Sequence, residues 1–465
     1  MTLIADRPSH GEPRPYHFPS FTRTKLSSGI DVIAVHLPER ELLTGVLFES
    51  IGAGDEHADE AGLTVLMARA MTEGTRSRNA IELVEATERL GASLHAEAGW
   101  DALSVGIDVP SERLAPALDL VAEVMSEPLF PEDEVERLRD ERLNDLLQAK
   151  ADPRRRAEEA FVETIYAPDS PYRRPSGGTK ATVERFDAAM VRTMHERRFD
   201  PNRMTLIVGG DLEGIDVAEV AEARFGRWQP SLTCEGPRSI NAKAASNPSR
   251  IRVLDRPGSV QTEIRIGHVG LRRRSPDFHA LSVMSAILGG LFNSRLNRVL
   301  REEKGFTYGA SAGFDLRRAP GPFAARAAVN TDVTVPAIEA ILAELDGVRE
   351  RPVSDAELHA ARDFLVGVFP LRFETPPAVV GAISGIVVHG LADDELARYR
   401  PAIEAVSRDD VTAAALAHVR PADASIVLVG EAAAFLPALE AAGFGEIRVE
   451  PAVPDEVAGE GDRAG

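Results

Sequence analysis

The chain is poor in the residues that build compact metal and disulfide sites. One cysteine, Cys234, stands among 465 residues. An intrachain disulfide framework and a cysteine-built zinc site are therefore excluded. The 11 histidines are His10, His17, His36, His57, His95, His195, His268, His279, His359, His389 and His418. No two lie three to five positions apart, so no helix can present two histidines one turn apart to hold one ion. Positive charge is also short: 53 Lys and Arg against 73 Asp and Glu leave a net charge of −20. That balance argues against nucleic acid and anionic membrane as partners, since both need a basic footprint. The densest basic runs, Arg154-Arg155-Arg156 and Arg272-Arg273-Arg274, are too short to reverse it. The first residues contain no apolar core of signal-peptide length, and no stretch approaches a membrane span. A cytoplasmic location is the resulting expectation.

What is present is an ordinary globular composition, 44% apolar and 27% charged, over a length of roughly two to three average domains. The chain also repeats itself. Pro201-Asn202-Arg203-Met204-Thr205-Leu206-Ile207-Val208-Gly209-Gly210-Asp211 and Pro421-Ala422-Asp423-Ala424-Ser425-Ile426-Val427-Leu428-Val429-Gly430-Glu431 share proline, a hydroxyl residue, an apolar run, glycine and an acid, 220 residues apart. Pro116-Ala117 and Pro336-Ala337 repeat at 220, Gly91-Ala92-Ser93 and Gly309-Ala310-Ser311 at 218, and 134–140 and 357–363 at 223. Four matches in order at nearly constant spacing imply two homologous halves, 16–229 and 250–449. The segment 230–249, rich in Pro, Ser and Asn, reads as a linker. The acidic, Pro- and Gly-containing tail 450–465 reads as disordered.

Within the first half, 30–36, 43–51 and 204–208 have strand length and apolar content, and 93–109 reads as a hairpin. Helical spacing marks 62–73, 80–90, 112–125, 133–148 and 182–199, with the fourth halted at Asp152-Pro153. Strands and hairpins exceed what β-α-β winding supplies. The expected fold is α+β: two homologous domains, each a mainly antiparallel sheet flanked by helices on one face, joined by the linker into a clamshell.

These segments, in this order, resemble the pitrilysin/insulinase superfamily of metallopeptidases, in particular the bacterial relatives of mitochondrial processing peptidase subunits. The likeness rests on Gly62-Leu63 through Glu73-Gly74-Thr75, Leu90-Gly91-Ala92, Ser176-Gly177-Gly178-Thr179 and Pro201 to Asp211 in the first half. In the second half it rests on Leu288-Gly289-Gly290, Ser294-Arg295-Leu296 and Leu300-Arg301-Glu302-Glu303-Lys304-Gly305-Phe306-Thr307-Tyr308, then 391–400 and 406–411. The resemblance implies a zinc site on the first helix, where an H-x-x-E-H motif binds the metal and supplies a general base. At those positions this chain has Val65, Ala68 and Arg69. The family's third ligand, a glutamate on the long helix, falls at Asp145, and one carboxylate does not hold zinc. A fixed positive charge at Arg69 would repel the cation. The resemblance therefore implies no metal on this chain and no catalytic residue.

What the resemblance does retain is Arg301 and Tyr308. In non-catalytic family members an Arg and a Tyr seven apart reach the substrate beside a zinc held elsewhere. Arg offers a fork of donors to a carbonyl or carboxylate, and a Tyr hydroxyl donates to a carbonyl oxygen. A charged helix end followed by a core-packing strand is the plain alternative for this pair. Gly289-Gly290 reads as a mobile segment beside the cleft or a helix terminus. Ser176 to Thr179 reads as a turn and N-cap. Gly309-Ala310-Ser311-Ala312-Gly313 matches G-x-S-x-G, but a nucleophile elbow needs a strand before it and a helix after it, and the order here is reversed. The expectation is a zinc-free subunit of a heterodimeric metallopeptidase. Its partner would be a homologous H-x-x-E-H subunit carrying the zinc, and its substrate a peptide. The rival is a purely structural or scaffold homologue.

Overall fold

The computed structural model describes residues 11, 14–246 and 250–452. The strands of the first half are β1 (Thr22–Lys25), β2 (Asp31–His36), β3 (Leu42–Glu49), β4 (Ser93–Ala98), β5 (Leu103–Pro110) and β6 (Met204–Gly210). Its helices are α1 (Leu63–Ala70), α2 (Ala80–Arg89), α3 (Leu114–Ser126), α4 (Glu132–Ala151), α5 (Pro153–Ile165), α6 (Lys180–Val183), α7 (Ala188–Arg198) and α8 (Val217–Phe225). The second half adds β7 (Ile251–Asp255), β8 (Gln261–Val269), β9 (Ala310–Phe314), β10 (Pro322–Asn330), β11 (Ser425–Gly430) and β12 (Ile447–Pro451). Its helices are α9 (Phe278–Ser285), α10 (Arg295–Asn297), α11 (Thr334–Glu350), α12 (Asp355–Val368), α13 (Pro376–Val388), α14 (Glu395–Ala405), α15 (Arg408–His418) and α16 (Ala432–Ala442).

Two six-stranded sheets result, ordered β1-β2-β6-β3-β5-β4 and β12-β7-β11-β8-β10-β9. The orders superpose strand for strand except at one edge. There the first sheet uses its N-terminal strand, antiparallel to β2, and the second its C-terminal strand, parallel to β7. Each of the four sequence repeats falls on equivalent elements: β6 and β11, α3 and α11, β4 and β9, α4 and α12. The α+β duplication is thus present as two sheets with helices.

Each sheet buries one face under the helices of its own half. Val105, Ile107, Leu206 and Val208 pack with Leu66, Met67, Leu118 and Val121 in the first half. Ile264, Ile266, Ile426 and Leu428 pack with Leu281, Ile338 and Ile341 in the second. Helices on one face only were expected, and here the structure differs. The opposite face of each sheet is covered by a helix of the other half. From α5, Ala157, Phe161 and Ile165 pack against Leu254, Val269, Ala324, Val427 and Val429. From α13, Val379, Val380 and Ile383 pack against Ile33, Val35, Phe48 and Ile207. Among the described residues no single helix is long and apolar enough to cross a membrane. The strongly apolar α13 makes an inter-half contact.

Local differences have local causes. The stretch 182–199 is two helices, because Asp187 accepts from the Met190 N–H and starts α7 anew. Asp152-Pro153 begins α5 rather than only ending α4: Asp152 accepts from the Arg154 and Arg155 N–H groups, with proline at the first helical position. The connection 230–246 is pinned along the first half. Asp55 accepts the Arg238 N–H at 3.0 Å, and Ala167 and Ala245 bond Lys243 and Ile165 through the backbone. β12 carries the second sheet to Pro451, and Ala452 is buried behind it. The remainder of the expected tail, 453–465, lies outside the described residues, as do 247–249 of the linker.

Candidate functional site

Helix α1 begins where two loops touch backbone to backbone. Gly62 (φ +98°) and Gly178 (φ +79°) both lie in the left-handed region. A Cβ on Gly178 would stand 2.1 Å from the Ala61 carbonyl oxygen, and one on Gly62 would stand 2.5 Å from the Gly177 backbone. This close approach is why Gly62-Leu63 and Ser176 to Thr179 carry glycine. The helix is capped by buried Glu56, whose carboxylate accepts the Gly62 and Thr64 N–H groups at 2.9 and 2.7 Å and pairs with Arg174 at 2.9 Å.

The two positions expected for zinc ligands, Val65 and Arg69, and the one expected for the general base, Ala68, do not fit a metal site. Val65 is half-buried and Ala68 has 0% exposure, embedded in the core of the first half. Neither offers a lone pair. Arg69 is exposed and pairs with Glu141 of α4 at 2.8 Å. One turn along α4, Asp145 pairs with Arg155 at 2.9 Å and with Arg142. The Arg155 hydrogen bond, with help from Arg142, holds the Asp145 carboxyl below the usual range. Likewise Arg69, then Arg137, lowers Glu141. Guanidinium groups thus satisfy the carboxylates of α4, and α1 is tied to α4 by an ion pair. Among the described residues no group of three or more His, Cys, Asp or Glu side chains is placed to hold a metal.

Arg301 and Tyr308 do come together. Arg301 lies on the π-helical turn Arg298–Glu303, its guanidinium 3.6 Å over the Phe292 ring and 2.9 Å from Glu302. Tyr308 is 94% exposed in the loop leading to β9. Both line one cavity of about 530 Å³. Gly289 lies within the helical turn Ala286–Gly290 and is not left-handed. It is needed because a Cβ there would meet the Ala312 N at 2.2 Å, where the helical turn Ala286–Gly290 crosses β9. Ser311 sits on the edge strand β9, with no helix after it.

The same cavity holds residues that the sequence did not single out: Arg154 of α5, Glu263 and Arg265 of β8, Phe292, and Arg326 of β10. Arg154 was visible only as part of a basic run. Arg265 and Arg326 lie 61 residues apart in sequence, and only the antiparallel register places them opposite one another. Glu158 of α5 accepts from both, at 2.7 and 3.0 Å. Burial pushes the Glu158 carboxyl up, but the two arginines outweigh it and the net shift is downward. A second cavity, of about 490 Å³, lies between the first sheet and α13 and includes His95, Glu97, Asp108 and Ser384. Asp108 is engaged there by the Thr44 hydroxyl at 2.5 Å.

Comparison with known proteins agrees with this geometry. Residues 32–175 match the family described as insulinase (peptidase family M16), and residues 185–365 match the peptidase M16 inactive domain. An uncharacterised zinc protease of Mycobacterium leprae is 26% identical over 76% of this chain and 79% of its own length. A non-peptidase homolog of Helicobacter pylori is 23% identical over 68% of this chain and 72% of its own. The crystal structure of a peptidase M16 inactive domain from Pseudomonas fluorescens has the same fold, with a TM-score of 0.80 at 23% identity, covering 88% of this chain and 98% of that one.

Proposed function

This chain belongs to the insulinase, or M16, peptidase family as a non-catalytic member, and from that premise we propose that it binds peptide for a partner subunit carrying the zinc site. The observation that carries the reading is the pairing of two features. α1 offers Val65 and Arg69 in place of the two ligands and Ala68 in place of the general base, while Arg301 and Tyr308 share one open cavity with exposed Phe292. Exposed aromatic side chains around a concave, donor-rich surface are the ordinary mark of a binding site.

The partner would be a homologous H-x-x-E-H subunit, and its metal centre would supply the hydrolytic chemistry. This chain's own part is positioning. Arg301 presents guanidinium donors, stacked and oriented by Phe292, to a peptide carbonyl. The Tyr308 hydroxyl, on an exposed side chain with no hydrogen-bond partner among the described residues, donates to a second carbonyl oxygen. Fixing an extended peptide against a reacting centre can remove several kcal/mol of barrier through orientation alone.

The test mixes this chain with the H-x-x-E-H relative encoded in the same genome and follows zinc content and cleavage of a quenched peptide library. Activity confined to the mixture, with zinc confined to the partner, is expected. Arg301→Ala should lower that activity by about tenfold, the loss of one charge-assisted contact, with zinc content unchanged. A complex that forms but gains nothing, or no complex, would turn the reading to a scaffold homologue, the direction in which the non-peptidase relative points.

A further inference from the structure

We propose that the cavity beside Arg301 and Tyr308 is a carboxylate-binding subsite, selecting peptides that place an acidic side chain or a free C-terminus there. This rests on the peptide-binding reading above and names the class of peptide. The argument begins with register. β8 and β10 pair Arg265 with Arg326, and β10 and β9 pair Arg326 with Ser311. Alternation places the two arginines on the sheet face opposite Ile264 and Ile266, which are buried in the core of the second half. Like charges directly opposed across strands repel. The fold compensates with α5, whose Glu158 bonds both through the same carboxylate oxygen.

That compensation is complete for one arginine and incomplete for the rest. Arg265 is 2% exposed and has Glu263 as a second partner at 2.9 Å. Arg326 has no carboxylate partner beyond its share of Glu158, with one long bond of 3.4 Å to the Ala324 carbonyl besides, and its side chain is 32% exposed. Arg154, one helical turn before Glu158 on α5, is exposed and makes no salt bridge among the described residues. Arg301 has Glu302 alone, itself half exposed. Four arginine residues therefore line this cavity against one lining acidic residue, Glu263, in a chain of net charge −20. Docking α5 onto the sheet accounts for Arg265 and half of Arg326; it gives no reason for Arg154. Guanidinium forks with free N–H groups match a carboxylate. Phe292 and Tyr308, 75% and 94% exposed, offer apolar contact to the residue next to it.

The experiment measures binding of four fluorescein-labelled peptides to the full chain by anisotropy. The peptides share one apolar sequence and differ only in Glu or Gln at one internal position and in a free or amidated C-terminus. The expected result is a preference of about fivefold or more for one carboxylate-bearing form, the scale of one partly exposed ion pair. Whichever form is preferred identifies the source of the carboxylate. Arg154→Ala, which removes no ion pair, should lower the preference, and Arg154→Ala with Arg326→Gln should abolish it while neutral-peptide binding persists. Equal binding of all four peptides overturns the inference and leaves the peptide-binding role standing, as does a preference that survives in the double variant. Failure to bind any peptide overturns both.

Discussion

Arg69 shows how a single position can replace a metal's structural part without its chemistry. A divalent ion between α1 and α4 would neutralise carboxylates on α4 and cross-link the two helices. Here Arg69–Glu141 makes that link and Arg155 and Arg142 neutralise Asp145. The pair Arg69–Glu141 is about half exposed, so it contributes little to stability by itself, on the order of 0.5 kcal/mol. The first expectation is that zinc or a chelator leaves the thermal midpoint unchanged, because no ligand set among the described residues couples metal binding to folding. A zinc-dependent rise in a melting scan would refute it. A second concerns backbone rather than charge. Gly178→Ala should cost about 2 kcal/mol or more, since it adds a left-handed strain to a contact of 2.1 Å with Ala61. Chemical denaturation would read that loss. The loss of two ligands and a base was legible from three residue identities at fixed spacing. The partners of Arg69 and the backbone contact behind Gly178 were not, because each joins segments more than seventy residues apart.

The elements tell a similar story of local signals and non-local consequences. Asp152-Pro153 reads as the end of a charged helix, yet the same dipeptide is an N-cap followed by a first-turn proline. What the sequence could not supply is that α5 leaves its own half and packs on the other half's sheet. Its apolar residues Ala157, Ala160, Phe161 and Ile165 have helical spacing, but spacing does not name the surface they face. Phe161→Ala should therefore destabilise the protein by about 3–5 kcal/mol, as for any fully buried phenylalanine, although the residue lies outside the core of its own half. β8 yields a pH prediction. His268 on this strand is buried and accepts the Arg420 N–H at Nε2, 3.0 Å away, which requires the neutral ring. Burial lowers its pKa to about 4. Since the unfolded value is near 6.5, the unfolded chain binds the proton first, and stability falls as pH drops from about 6.5 toward 4. The difference in melting temperature between wild type and His268→Gln should shrink across that interval. A constant difference would show that the ring does not resist protonation.

At the scale of the molecule, the duplication was legible because each half repeats its closing strand, its central helix and its edge strand at nearly one spacing. The interlock between halves was not, because it is built from what the halves exchange. α5 covers the second sheet and α13 covers the first. The turn between β9 and β10 adds a third tie. Arg318 bonds Asp55 at 2.5 Å and the Ser50 carbonyl at 2.8 Å, while Arg317 lies over Trp100 and Tyr172. The Tyr166 hydroxyl returns the contact at the Pro320 carbonyl, 2.9 Å away. Asp55 and Glu56 are neighbours in the segment that precedes α1, so the stretch that leads into the degenerate zinc helix is held by the second half through Arg318 and by its own half through Arg174. Such a molecule is not two domains on a free tether. Each half alone would expose the sheet face that its partner's helix covers, a contiguous apolar surface of the kind that drives association. Fragments cut within the 230–249 segment, expressed separately, should thus be poorly soluble or self-associated, whereas coexpression should recover a one-to-one complex with the melting behaviour of the intact chain. Phe161→Ala in the first fragment or Val380→Asp in the second should prevent that recovery, because each spoils one of the two exchanged helices. Two fragments that each fold as monomers and ignore one another in a gel-filtration mixture would show that the exchanged helices are incidental to the fold.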